Sequence, residues 1–178
     1  MATLRILTIN GNNGPKIFRA CWKIPAGPNW ADNFWRPGNL LASIDISTGI
    51  VQRVITGTGL AMKEVEHHPD TQMRLIGLKV PLWEERCAAA LTGATALADF
   101  GLLGWDIATA PEGPVIVEVN DTPDAIISQI ADRRGLMEPL FRQFLEERRQ
   151  AFKIWQARQR EIARGNYASA GKILHSSK

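Results

Sequence analysis

A predicted β-hairpin in the second half of the chain carries three oxygen-donor side chains whose spacing suits a metal site. Asp106 lies in the strand Leu102–Ala110, which a Pro-Glu-Gly turn brings back beside the strand Pro114–Val119. Glu118 and Asn120 end that second strand and share a face, because residues two apart in a strand point the same way. Carboxylate and amide oxygens suit Mg²⁺ held against phosphate. The spacing therefore predicts a magnesium site; the alternative is an ordinary strand end beside a solvated Asp106.

Further strands and two helices must position this hairpin. Alternating apolar residues predict four earlier strands. These are Thr3–Ile9, Lys16–Ile24, Leu40–Ile46 and Gly49–Thr56. Apolar residues at helical spacing predict a helix over Pro81–Phe100 and a long C-terminal helix with its stripe from Met137 to Trp155. The predicted fold class is α+β, a mostly antiparallel sheet of about six strands with a covering helix and the long helix beyond it.

The alternation of the second predicted strand also groups two cations. Arg19 and Lys23 are expected to share one face of this strand with Ile17 and Cys21, because side chains alternate along a strand. Lys16, Phe18, Ala20 and Trp22 would point to the other face. The alternation therefore predicts that the two cations lie on the same side of the sheet.

The composition is that of one globular domain. The chain has 178 residues, 45% of them hydrophobic and 22% charged, which excludes a disordered or collagen-like chain. Two cysteines, Cys21 and Cys87, are too few for a disulfide framework, so we expect buried reduced thiols and a cytoplasmic location. The longest apolar stretch, Cys87–Ala98, is too short to span a bilayer. Residues 1–10 read as a strand, so no signal peptide is expected.

The positive charge is concentrated towards the C-terminus. Residues 132–164 hold nine Lys or Arg and five Asp or Glu, against a net charge of +3 for the whole chain. Pairs such as Glu138 and Arg142, four residues apart, indicate a solvated helix face, so we do not expect a nucleic acid as partner. The apolar stripe of the same helix is expected to pack on the sheet or on a partner.

Several segments resemble a known superfamily. The segment LLGWDIATAPEGPVIVEVNDTPD resembles the metal-binding hairpin of ATP-grasp proteins, an Asp strand followed by a Glu-x-Asn strand. TLRILTI, the strand holding Arg19 and Lys23, and NFWRPGN are similar to the matching stretch of α-L-glutamate ligases. NFWRPGNL, EHHPDT and GWD together resemble sugar-transfer-associated ATP-grasp proteins. The resemblance covers residues 2–124 and predicts a C-terminal ATP-grasp subdomain over 1–124, followed by a basic helical extension over 125–178.

The resemblance implies an ATP-dependent carboxylate–amine ligase that works through an acyl phosphate, with ATP and Mg²⁺ as cofactors. Asp106 would hold one Mg²⁺, Glu118 would bridge two, and Asn120 would complete the second. Two metal ions would neutralise the phosphate charge during transfer.

The resemblance also implies roles for the loop and for the second strand. Arg36 and Asn33 would be catalytic and would face the transferred phosphate and the acyl-phosphate oxygens; the alternative is a pair on a surface loop. Lys23, with Arg19, would help to bind the γ-phosphate. Many ligases of the superfamily have a catalytic Arg two residues before the metal-binding Asp, where this chain has Gly104, as the glutamate-ligase branch does.

ATP-grasp enzymes close two subdomains on the nucleotide, and this sequence begins where the second one begins. We therefore expect either a partner chain that supplies the N-terminal half, a homo-oligomer, or a non-catalytic truncated or split subunit that binds a partner. The family association suggests a small-molecule or glycan-linked substrate in sugar or cell-surface polymer biosynthesis. The adjacent His67 and His68 would point to opposite faces of a strand, so one metal ion shared by both is not expected, and their role stays open.

Overall fold

Seven strands form one antiparallel sheet. The computed structural model describes the backbone of residues 1–175 and the side chains of residues 1–164; residues 176–178, the end of the predicted extension, lie outside the described part. The strands are β1 (Thr3–Gly11), β2 (Gly14–Ile24), β3 (Leu40–Ile44), β4 (Val51–Thr56), β5 (Lys63–Glu64), β6 (Leu102–Ala110) and β7 (Gly113–Asn120). Their order across the sheet is β5-β4-β3-β2-β1-β6-β7. The six predicted strands are all present, and the two-residue β5 is the seventh.

Helices cover both faces of the sheet. They are α1 (Trp83–Ala96), α2 (Ile126–Asp132) and α3 (Pro139–His175). α1 is shorter at both ends than the predicted helix. It packs on one face, while α2 and the start of α3 pack on the other. The predicted α+β class with a long C-terminal helix is confirmed. In the described part of the chain, no helix is long and apolar enough to cross a membrane.

The core under α1 depends on a close approach of this helix to the sheet. Leu4 and Ile6 of β1 and Trp105 of β6 are almost fully buried there. A Cβ atom added at Gly93 of α1 would lie 2.5 Å from the Trp105 ring. A larger residue at position 93 would therefore push the helix away from the sheet. The Trp105 indole nitrogen donates to Thr8 Oγ1 at 2.9 Å, which satisfies the buried polar group.

The second face carries two smaller apolar clusters. Phe141 and Phe144 of α3 pack on Leu7 and Phe18, and the Phe18 and Phe141 rings stack with centroids 5.0 Å apart. Under α2, a further cluster joins residues from four elements. Its buried members are Cys21, Phe34, Leu41, Ile55, Ile127 and Ala131. Residues 126–144 thus share a core with the sheet, while the division of the chain at residue 124 remains a prediction.

A β-bulge in β2 corrects one predicted grouping. Arg19 pairs with Leu7 but Ile17 pairs with Thr8, so one residue is extra in this strand. Phe18 and Arg19 therefore both lie on the α2–α3 face, whereas Ile17 packs into the core under α1. The prediction that Ile17 shares a face with Arg19 was wrong, because a bulge shifts the alternation by one residue.

Candidate active site

A row of side chains crosses the middle of the sheet on the α2–α3 face. Arg5 of β1 pairs with Cys21 on one side and with Asp106 on the other, and Asp106 pairs with Glu118 of β7. Directly opposite residues of neighbouring antiparallel strands project to the same face. Asn120 pairs with Gly104 and lies two residues farther along the same face. The predicted proximity of Asp106 and Glu118 is confirmed at the level of strand register.

This row depends on a second β-bulge. Near the turn, Ile107 pairs with Ile116, and the same count would pair Asp106 with Val117. The register shifts between Asp106 and Ile107, so Val117 becomes the extra residue and Asp106 meets Glu118. Without the bulge Glu118 would point to the α1 face, because a shift of one residue reverses every later side chain.

Asp106 is the centre of a buried ion cluster. Arg5 Nε lies 2.5 Å from Asp106 Oδ1, and Arg5 Nη2 lies 2.9 Å from Oδ2. Lys23 Nζ also donates to Oδ2 at 2.9 Å and lies 3.7 Å from Asp32 Oδ2. Thr3 Oγ1 donates to the same Asp32 oxygen. Two cations and two carboxylates therefore form a compact network with balanced charge.

Asp106 and Arg5 each favour the charged form of the other despite their burial. Burial alone would raise the pKa of Asp106, but the hydrogen bonds and charges of Arg5 and Lys23 outweigh it and lower the pKa. Burial likewise opposes the charge of Arg5, yet the hydrogen bond and charge of Asp106 leave its pKa raised. Each group holds its partner in the charged form.

A cleft of about 250 Å³ gives access to this cluster. Its lining residues come from four strands, from the loop after β2 and from α2 and the segment before it. They are Arg5, Lys23, Asp32, Asn33, Phe34, Trp35, Asp106, Glu118, Asp124 and Ile127. The paired cations are buried in the cleft, whereas Glu118 is exposed. The arrangement can receive an anion at the cations and a metal ion at the carboxylates.

The loop after β2 places the two predicted catalytic residues differently. Asn33 lines the cleft, and its Oδ1 accepts a hydrogen bond from the Trp35 backbone at 3.0 Å. Arg36 is exposed and does not line the cleft. The buried Asn39 holds the loop, since its amide nitrogen donates to the carbonyls of Ala31 and Asn33 at 2.8 Å each. The catalytic roles of Arg36 and Asn33 remain predictions.

The two predicted phosphate-binding cations are separated. Lys23 lies in the cluster, but Arg19 donates to the carbonyls of Arg134 and Gly135 at 2.8 and 2.7 Å. Arg19 borders another cavity of about 730 Å³, between the β3–β4 turn and the start of α3. Those bonds fasten the segment between α2 and α3 to the sheet. They satisfy both terminal nitrogens of Arg19, while its buried Nε has no hydrogen-bond partner among the described residues. The nucleotide-binding role of Arg19 remains a prediction.

The two adjacent histidines lie outside the cleft. His68 Nδ1 accepts from the Asp70 backbone at 3.2 Å, so the Nε2 atom of the neutral ring carries the proton that bonds the Pro25 carbonyl at 3.1 Å. Asp70 also accepts from the Gly27 backbone at 2.7 Å. This segment thus braces the loop that carries Asn33. Within the described part of the chain, no three or more His, Cys, Asp or Glu side chains form a metal cluster.

Sequence reasoning missed two members of the cluster. The sequence did contain a sign that Arg5 belongs to a buried ion pair, because a single arginine inside an otherwise apolar strand must find a partner when that strand is buried. No such sign pointed to Asp32, since it lies in an irregular loop. Position 104 fits the cluster as glycine: an added Cβ atom would lie 2.5 Å from Pro123 Cβ and 3.5 Å from Arg5 Cδ. Pro123 therefore fills the space that a side chain at position 104 would need.

One comparison with known proteins identifies the family. The model of a family described as sugar-transfer associated ATP-grasp matches residues 1–143, which is 143 of 178 residues. The match includes every strand, α1, α2 and the whole ion cluster. The comparisons with curated proteins and with solved structures found no match. With the match covering most of the chain, the protein belongs to the sugar-transfer associated ATP-grasp family.

Proposed function

We propose that the cleft is the phosphate- and metal-binding part of an ATP-dependent carboxylate–amine ligase. The observation that carries this proposal is the row formed by Arg5, Asp106 and Glu118, with Lys23 beside it. It joins cations suited to phosphate oxygens with carboxylates suited to Mg²⁺ in one cleft. The family match supports an ATP-dependent, ligase-like function of this kind.

The side chains present fit a magnesium ion. Asp106 accepts three hydrogen bonds from Arg5 and Lys23, and a carboxylate offers about four acceptor positions, so one is left. Glu118 forms no hydrogen bond or ion pair with the described side chains. Glu118 and Asn120, with the remaining position of Asp106, would hold the metal. When bound, Mg²⁺ neutralises phosphate charge.

Side chains of the cleft would bind the terminal phosphate of ATP and orient it for transfer. Arg5 uses Nε and Nη2 on Asp106, and Lys23 uses one of its three donors there. Their remaining donors would orient the terminal phosphate of ATP. In the proposed reaction, a substrate carboxylate takes the γ-phosphoryl group from ATP to give an acyl phosphate and ADP. An amine then displaces inorganic phosphate from the acyl carbon, forming an amide and losing a proton.

The substrate proposal rests on the family description alone. A sugar-transfer association points to a small-molecule or glycan-linked acceptor, in sugar or cell-surface polymer biosynthesis.

Thermal unfolding with and without Mg-ATP tests the proposal. A ligand at about 100 times its Kd should stabilise the protein by roughly 2.7 kcal/mol, which is a shift of several degrees at this size. We expect the shift to need Mg²⁺ and to vanish in Glu118→Ala. Glu112→Ala is the matched control, because it removes an exposed carboxylate from the turn of the same hairpin.

A partner-binding module is the second candidate, and the outer strand β7 favours it. β7 lies at the edge of the sheet. It exposes four apolar side chains by 41–51% each, those of Val115, Ile116, Val117 and Val119. Open edges with apolar side chains invite pairing with another chain. A partner that adds the other ATP-grasp half, or a second copy, could cover this strand. A folded protein that shows no Mg-ATP shift and elutes as larger species at higher concentration would favour this module over the isolated ligase site.

A further inference from the structure

The far end of α3 is a basic amphipathic helix that extends away from the domain. Phe144 is the last buried residue of α3, and Arg148 makes a late contact by donating to the Asp99 carbonyl at 2.9 Å. Residues 149–164, here called the distal segment, extend for about 24 Å. All of them are exposed except the half-exposed Gln156. The family match ends at residue 143, so the distal segment lies outside the matched residues.

An apolar stripe runs along the distal segment. Phe152, Trp155 and Ile162 are exposed by 54%, 55% and 49%, and the rings of the first two stack with centroids 5.7 Å apart. Phe152 follows Phe141 by eleven residues and Ile162 follows Phe144 by eighteen, close to whole turns at about 3.6 residues per turn. The face that packs on the sheet therefore continues, uncovered, beyond it.

Four cations occupy the other side of the distal segment. They are Arg149, Lys153, Arg160 and Arg164. At about 100° per residue they lie between about 120° and 180° around the helix from Trp155. They form no ion pair with the described side chains. With Arg158 and Glu161, the segment has five basic residues and one acidic residue, hence +4, although the whole chain carries only +3.

We propose that the distal segment binds the surface of an anionic lipid bilayer and lies in the plane of the membrane. Phe152, Trp155 and Ile162 would enter the headgroup–acyl boundary, as aromatic and aliphatic residues of interfacial helices do. The cations would stay within about 10–12 Å of the lipid phosphates, the diameter of a helix, which is close to a Debye length at about 0.1 M salt.

The charge favours this occupant over two others. A second copy would bring another segment of +4 alongside the first, and like charges repel. A nucleic acid would engage the cations but leave the apolar stripe in water. An anionic surface with an apolar layer beneath it satisfies both sides of the helix, which neither a second copy nor a nucleic acid does.

Vesicle flotation with the full chain tests the proposal. The probes are vesicles of phosphatidylcholine alone and of an equimolar mixture with phosphatidylglycerol. We expect binding to the anionic vesicles only, weakened by salt. Phe152→Ser with Trp155→Ser should abolish it, and Gln at the four cations should weaken it by about 100-fold or more. Trp30→Ser, which removes a tryptophan 90% exposed on another surface, and Arg74→Gln are the controls and should bind like the wild type.

Four results would overturn the proposal. The first is a folded wild type that ignores anionic vesicles at low salt, and the second is equal binding to neutral vesicles. The third is full binding by the serine variant. The fourth is salt-dependent binding to duplex DNA or single-stranded RNA without vesicle binding, which would assign the cations to a nucleic acid. Because none of the substituted residues lies in the cleft, these results are independent of the Mg-ATP experiment.

Discussion

Arg5 and Arg19 project from the same face of the sheet and are both buried, with exposed fractions of 8% and 1%. Two nitrogens of Arg19 donate hydrogen bonds to backbone carbonyls. The nearest carboxylate oxygens of Asp132 and Glu138 lie 3.7 and 3.5 Å from these nitrogens. Arg5 instead forms a two-point ion pair with Asp106, at 2.5 and 2.9 Å, in a cleft that also holds an exposed carboxylate.

The difference between the two arginines lies in what surrounds the buried charge. Around Arg19 the chain supplies fixed carbonyl acceptors, which gives the guanidinium a fastening role. Around Arg5 the partner is a carboxylate that keeps an acceptor position, and Lys23 adds donors of its own. In this protein, the hydrogen-bonding capacity that Asp106 and Lys23 retain beside the cleft makes Arg5 the stronger candidate for a site residue. Substituting each arginine in turn tests this distinction.

The largest effect is expected from Arg5→Met. Without Arg5, Lys23 alone faces the carboxylates of Asp106 and Asp32, so one negative charge of the network is uncompensated. Breaking a buried ion pair in this way costs about 3–5 kcal/mol of unfolding free energy. Urea unfolding should show this loss, together with the loss of the Mg-ATP shift. The double variant Arg5→Met with Asp106→Leu should recover part of the stability, because it removes both charges. Recovery of nothing would mean that the cost comes from packing and not from the unpaired charge.

A smaller effect is expected from Arg19→Met. This change removes charged hydrogen bonds to two carbonyls, each worth about 1.5–3 kcal/mol, but water can reach part of the vacated space from the adjoining cavity. We expect a total loss of about 2–3 kcal/mol with an unchanged Mg-ATP shift. Arg74→Met, at an exposed position, should lose less than about 0.5 kcal/mol. Loss of the nucleotide shift in Arg19→Met would restore Arg19 as a nucleotide-binding residue.

The contrast between the arginines also shows what the sequence could reveal. Alternation of apolar residues predicted the strands, because each has one or two buried faces. It could not predict the bulges at Phe18 and Val117, since an extra residue is selected by packing across strands. Counting from the turn pairs Asp106 with Val117, so the metal hairpin was predicted from its composition and resemblance and not from its true register. The bulge in β2 likewise turns Lys23 towards Arg5.

Contacts between residues far apart in the chain could not be predicted from the sequence either. Arg19 and Lys23 looked equivalent, four residues apart on one strand. The acceptors of Arg19 lie 115 and 116 residues away, and Asp32 reaches Lys23 from an irregular loop. Residue types within a strand indicate which side chains could bind a ligand or metal ion. The partner of each charged side chain depends instead on how distant segments of the chain fold back.

The smallest effect is expected from acid, and it separates the two arginines without removing either. The pKa of Asp106 is lower in the folded protein than its ordinary value of about 3.8. Its contribution to stability is therefore complete above about pH 4 and is lost as the pH falls through the folded value, because the unfolded state binds the proton first. Between pH 7 and 5 the ionisation of Asp106 should not change the free energy of unfolding. Urea unfolding from pH 5 to 2 should show a shallower loss in Arg5→Met with Asp106→Leu than in the wild type, whereas Arg19→Met should keep the wild-type slope. Equal slopes in all three proteins would mean that the Arg5–Asp106 pair adds nothing to the acid sensitivity of the fold.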